Sequence, residues 1–356
     1  MAETYGLSQF TFDGELIQSV SEMVFDYVVT APDINSVHTI YDNIVMDKEI
    51  GFIGAGGLAG KAAQGCDPTA QTFSGTSRLL KWEPEEYELL LHLCYTDLKG
   101  TIAEYSLKTG TQRPDFTSSD YMNITQIVLE RAMNEFIFRT VWFGDTDADT
   151  VANGGILTNG TDKTYFNLIN GFFKQMETQV TANSDQLVTI TENAGASYAA
   201  QALDPDNIQG YFESAYFNAP AEIEMMDNRV ILCTRSVYNA YAKSLSGLAL
   251  ESMYVNLTEG VRTLAYQGIP LISLPEWDRV IKAYEDNGTT LNNPHRFVYT
   301  SKDIIGVGVD STNSFRNLDV WYDKDTRKVK IEAMGSIDAK LMNPELFMIG
   351  TGAVGS

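Results

Sequence analysis

The chain is short of nearly everything that enzymes and nucleic-acid binders advertise. Its 356 residues hold three cysteines, Cys66, Cys94 and Cys233, far apart and odd in number. That excludes a disulfide framework and a Cys-x-x-Cys zinc site. Histidine occurs only at positions 38, 92 and 295. There is no Gly-x-Ser-x-Gly elbow, no phosphate-binding Walker loop and no His-Glu-x-x-His, so the common nucleophile, nucleotide and metal signatures are missing. Positive charge is scarce as well: Lys and Arg number 25 against 47 Asp and Glu, a net charge of −22. A nucleic-acid binder needs a cationic footprint to displace counterions from phosphates, which this chain does not offer. No apolar run reaches the ~18–20 residues that span a bilayer. The opening MAETYGLSQF has neither the basic region nor the apolar core of a signal peptide, so the expectation is a protein made and kept in a cytoplasm, or in something assembled there.

What remains is a folded composition, 44% hydrophobic and 20% charged with 28 Gly and 10 Pro. The dominant stretch is TSSDYMNITQIVLERAMNEFIFRTVWFG, from Thr117 to Gly144. Thr117 with Asp120 is a helix start signal and Gly144 a stop. Ile124, Ile127, Val128, Ala132, Glu135 and Phe136 trace one helical face, and Met122, Leu129, Met133, Ile137 and Val141 a second beside it. A helix of about 37 Å with so broad an apolar surface reads as a spine laid over a sheet, with Met133 and Phe136 buried in the subunit.

Before the spine, residues 1–48 carry apolar pieces at 16–29 and 38–46 around Ala31-Pro32-Asp33, and read as an arm. KEIGFIGAGGLAGKAAQG follows. Gly54 to Ala59 fits Gly-x-Gly-x-x-Ala, the turn that places a dinucleotide pyrophosphate on a helix N-terminus. However, Gly65 and Pro68 break the required helix, and no acidic residue closes a second strand about 20 residues on. An extended glycine-rich loop is the better reading, with an oxidoreductase built on Gly54–Ala59 as the rival. EPEEYELLLHLCYTD (83–97) reads as a strand. It would put His92 and Cys94 on one face without a third ligand, a core pair rather than a metal site.

After the spine, Asp145, Asp147 and Asp149 imitate a calcium loop but lack its Gly at the sixth position and its Glu at the twelfth, so a solvated turn is expected. Helices are predicted at 165–180, 205–217, 236–245 and 277–284, and strands at 229–233, 269–273, 296–299 and 306–309, a mixed α/β domain. LDVWYDKDTRKVKIEA alternates on both sides of Asp323–Arg327, an antiparallel hairpin, and an apolar strand at 345–349 follows. Carboxylate pairs such as Glu222 and Glu224 are expected by number alone in so acidic a chain.

The order of arm, glycine loop, long spine helix, mixed α/β domain and closing hairpin with strand resembles the major capsid proteins of tailed bacteriophages, the Hong Kong 97-type fold. TYFNLINGFFKQM after GGILTNGT, RVILCTRSVYNAYAKSL, YQGIPLISLPEWDR and VKIEAMGSIDAKLMNPELFMIG share that family's texture. The resemblance implies an α+β chain divided into an N-terminal arm (1–48), an extended loop (49–82), a peripheral domain (83–145 with 318–356) and an axial domain (146–317). It implies a structural protein rather than an enzyme, assembling with itself as pentamers and hexamers into an icosahedral shell around double-stranded DNA that it does not read by sequence. Separate scaffolding, portal and decoration proteins would serve as partners; membranes, cofactors and metals would not. Gly54, Gly56, Gly57, Lys61 and Gly65 are the expected intersubunit contacts, although no motif selects an Asn partner for a Lys61 cross-link. An encapsulin-like compartment of the same fold is the alternative within the class.

Overall fold

The computed structural model describes residues 34–44, 49–54, 76–94, 120–148, 163–245, 254–256, 262–310, 319–323, 325–326 and 328–353. In chain order the helices are α1 (Ile34–Val37), α2 (Asp120–Phe143), α3 (Phe172–Ala182), α4 (Pro205–Phe217), α5 (Ala221–Glu224), α6 (Arg235–Ser244) and α7 (Pro275–Tyr284). The strands are β1 (Thr39–Tyr41), β2 (Glu49–Gly54), β3 (Thr76–Lys81), β4 (Glu85–Cys94), β5 (Leu187–Thr189), β6 (Arg229–Cys233), β7 (Tyr254–Asn256), β8 (Arg262–Tyr266), β9 (Ile269–Ser273), β10 (Phe297–Ser301), β11 (Ile305–Val309), β12 (Asp319–Asp323), β13 (Lys328–Leu341) and β14 (Phe347–Thr351).

Two sheets organise these elements. One runs β5-β14-β10-β6-β9-β8-β7, and the other β1-β11-β13-β12 with β4 also paired to β13. In the first, period-2 alternation divides each strand between two cores. Val230, Leu232, Val298, Phe347 and Ile349 face α2, α3 and α7. Ile231, Cys233, Phe297, Tyr299 and Met348 face α4 and α6. Strands buried on both faces must read as continuous apolar runs, and RVILC and FMIGT do.

The spine is α2, 24 residues or about 36 Å long. Met133, Ile137, Val141 and Trp142 are buried in a core shared by both sheets. Of the second line read from the sequence, Met133, Ile137 and Val141 therefore face inward. Phe136, on the first line, is half-buried against Tyr87, and Ala132 is exposed. The helix stops where Gly144 meets Gly171, whose N–H donates to the Gly144 carbonyl at 2.8 Å. A Cβ on Gly144 would lie 2.4 Å from the carbonyl oxygens of Thr140 and Ile169, and one on Gly171 would lie 2.8 Å from the Gly144 nitrogen. Neither position admits a side chain. This is also why the helix predicted from 165 begins only at Phe172, after the chain has passed Gly171.

In β11, IGVGV turns Ile305, Val307 and Val309 into the spine core. The intervening Gly306 and Gly308 leave room on the other face for Tyr41, Ile44 and Trp82, which seat β1 and the ends of β2 and β3. The hairpin appears as expected, β12 pairing antiparallel with β13 and Asp323 opposite Lys328. Beyond it, the strand at 347–351 joins the seven-stranded sheet between β10 and β5. Among the described residues, no helix is long and apolar enough to cross a membrane.

Candidate assembly surfaces and the buried joint

The glycine-rich segment has a paired stem. β2 and β3 pair antiparallel in register from Glu49 opposite Lys81 to Gly54 opposite Thr76, and Lys81 lies 3.4 Å from Glu49. A dinucleotide turn needs its strand in a parallel sheet with a helical crossover, so this antiparallel ribbon removes the oxidoreductase reading of Gly54–Ala59. Ile50 and Leu80 pack toward Trp82, whereas Leu79 is 63% exposed. Gly54 ends β2. Gly56, Gly57, Lys61 and Gly65 lie outside the described residues, as do residues 1–33 of the expected arm.

Two further surfaces carry exposed apolar side chains. On the sheet that pairs β4 with β13, Leu90 and Met334 stand on the face away from the spine, beside Glu86 and Glu88. On the other sheet's helical side, Phe217 (67% exposed) and Met225 (86% exposed) lie within residues 204–228. That span contains Asp204, Asp206, Glu213, Glu222, Glu224 and Asp227, all exposed, and no Lys or Arg. Its helix is regular: Asp204 caps it by accepting from the Asp206 N–H, Pro205 opens it, and Ile208, Phe212 and Ala215 bury its inner face.

A buried ion pair at the ends of α2 and α3 was missed by sequence reasoning. Arg296 and Glu285 are both buried, with Nη2 2.6 Å from Oε2. Arg296 also donates to the carbonyls of Asn293 and Asn292, and its guanidinium lies 5.2 Å from the Phe143 ring and 4.9 Å from that of Phe173. It thereby ties the strand-bearing half to the ends of α2 and α3. Burial raises the Glu285 carboxyl above the ordinary glutamate range, and the Arg296 guanidinium pulls it back. Arg296 stands at the head of an apolar strand, and nothing local in the sequence marks it as paired.

The calcium-like aspartates fall into this region and are otherwise occupied. Lys174 Nζ lies 3.0 Å from Asp145 and 3.3 Å from Asp147, and Asp145 is wholly buried rather than solvated, which corrects the expectation of a solvated turn. Asp149 lies outside the described residues. His92 and Cys94 are both on β4, opposite Lys330 and Lys328. Among the described residues, no group of three or more His, Cys, Asp or Glu side chains could hold a metal.

No protein-family model matches the sequence, and no curated protein matches it significantly. Solved structures do. A Gordonia phage Cozz structure is similar with a TM-score of 0.56 at 12% identity, covering 96% of this chain and 93% of that one. A Mycobacterium phage Ogopogo structure gives 0.51 at 8% identity, over 95% of this chain and 97% of that one. The satellite phage P4 procapsid gives 0.50 at 10% identity, over 90% and 94%. The spine across two sheets, the antiparallel ribbon and the seven-stranded sheet together make an α+β fold of the Hong Kong 97 type, the fold of phage capsid proteins.

Proposed function

We propose that the chain is the major capsid protein of a tailed bacteriophage, a structural subunit whose copies form pentamers and hexamers and close into an icosahedral shell around double-stranded DNA. The observation that carries this reading is likeness along nearly the whole chain, 90% of it or more, to phage structures that include a procapsid. The net charge of −22 agrees with enclosing DNA without gripping it.

In this reading residues 1–48 are the arm, 49–82 the extended loop, 83–145 with 318–356 the peripheral domain and 146–317 the axial domain. Gly54, Gly56, Gly57, Lys61 and Gly65 form a loop that becomes fixed against a neighbouring subunit. Such a glycine density carries a high entropic cost of ordering, which a neighbour's contacts must offset. Separate scaffolding, portal and decoration proteins complete the particle, which is assembled in the host cytoplasm. The test is size-exclusion chromatography and electron microscopy of the expressed chain with its neighbouring virion genes. Pentamers, hexamers or shells are expected; a strict monomer at high concentration, with a scaffold present, would sink the proposal.

A further inference from the structure

A cavity of about 490 Å³, in the size range of small-ligand pockets, opens where α6, α7 and the loop before β10 meet. Its wall includes Tyr198, Ser236, Asp278, Lys282, Leu291 and His295.

His295 is buried and held at its backbone by Asn193, whose amide donates to the His295 carbonyl at 2.8 Å and accepts from its N–H at 3.0 Å. Asn193 is itself fixed by Gln201, whose side chain donates to the Asn193 and Leu291 carbonyls and accepts from the Leu291 N–H. The backbone carbonyl of Gln201 then lies 2.5 Å from His295 Nε2. A carbonyl can only accept, so Nε2 carries the proton, and in a neutral imidazole Nδ1 is left as an acceptor. Ser236 Oγ stands 2.7 Å from Nδ1. Burial holds His295 below the ordinary histidine range, so the ring is a neutral base at pH 7.

The serine is the second residue of α6, whose first amide, that of Arg235, already donates to Asp278 at 2.8 Å. Ser236 is thus a hydroxyl at a helix start that faces an open cavity, with Oγ nearest an oriented base at 2.7 Å and farther from Thr234 Oγ1 (3.0 Å) and the Pro294 carbonyl (3.5 Å). Those are the parts an activated nucleophile needs, with the Gln201 carbonyl standing where triads place a carboxylate.

We propose that Ser236 is a nucleophile that accepts the acyl group of small esters, with His295 as its base. Ser236 Oγ attacks the ester carbonyl carbon while its proton passes to His295 Nδ1. The carbon–oxygen bond to the alcohol then breaks, and the departing alcohol takes that proton, leaving an acyl-serine and a neutral histidine. This chemistry is independent of shell formation.

The test treats the full chain with p-nitrophenyl acetate and, separately, with a fluorophosphonate probe, and reads adducts by intact mass and peptide mapping. A single adduct on Ser236 is expected, absent in Ser236→Ala. In His295→Gln the labelling rate should fall by ~10²–10³-fold while thermal unfolding stays cooperative. Absence of any Ser236 adduct under conditions that label a serine esterase overturns the proposal, as does an unchanged rate in folded His295→Gln. Should His295→Gln not fold, Ser236→Cys decides. Its thiol should react with iodoacetamide at pH 7 at least ~10-fold faster than free cysteine, and parity would refute a base at Nδ1.

Discussion

The indole N–H of Trp142 donates to Nε2 of His38 at 2.9 Å, across 104 residues of sequence. Both groups are buried, and the imidazole stacks on Phe172 while its edge meets Phe138. The segment around His38 is thus plugged into the spine by a hydrogen bond to a neutral imidazole inside an aromatic box.

Replacing that acceptor tests the plug. His38→Leu keeps apolar volume but strands a buried indole N–H, which should cost ~1–3 kcal/mol in urea unfolding. Adding Trp142→Phe removes the stranded donor and should recover part of the loss. Equal stability of parent and single mutant would show that His38 does not anchor the arm.

The Arg296–Glu285 pair should behave as a unit. Arg296→Met leaves a buried carboxylate without its counter-charge and should destabilise by ~3–5 kcal/mol. Arg296→Met with Glu285→Leu should lie well above that single mutant in stability. Additive losses across the double-mutant cycle would refute the coupling.

Asp338 gives a pH prediction. Burial pushes its carboxyl up to about 6, against the pull of the Glu83 and Ala339 N–H groups and of Lys340. Between the ordinary aspartate value near 3.8 and 6, the folded state holds more protons than the unfolded one, so this group's contribution to stability falls as pH rises through that window and levels above it. Asp338→Asn gives up one acceptor oxygen, a constant offset, but removes this slope. Melting temperatures of variant relative to parent should therefore rise from pH 4 to 6 and stay flat to pH 8. Asp278, also raised to about 6, keeps part of the slope in both proteins. A difference independent of pH would mean that Asp338 titrates normally.

Deleting residues 56–65 tests the loop. The deletion lies beyond the paired ribbon, which ends at Gly54 and Thr76. Thermal unfolding of the free subunit should be unchanged, and shell formation lost or weakened. Unfolding of the deletion variant would make the segment part of a core instead.

Elements whose cause is local were legible in the sequence. Pro205–Phe217 carries its cap and its proline, Arg229–Cys233 is a continuous apolar run, and the hairpin alternates on both sides of its turn. Elements fixed by distant partners were not. The start of α3 is set by Gly171 passing Gly144, and the plug at His38 and the joint at Arg296 exist only once remote segments meet. Ser236 and His295 are 59 residues apart, and only the scarcity of histidine drew attention to the latter. The expected contact residues fall almost wholly in 55–75, where periodicity is silent because glycine and alanine have no face to bury.

The position of β14 has a consequence for biosynthesis. It lies between β10 and β5, and β5 finds its strand partner in β14. While the ribosome is still adding residues before 347, β10 has one open edge and Leu187–Thr189 has no partner in that sheet. The sheet therefore closes only once Phe347–Thr351 has been added, and a nascent chain short of it carries one unpaired strand and one open strand edge.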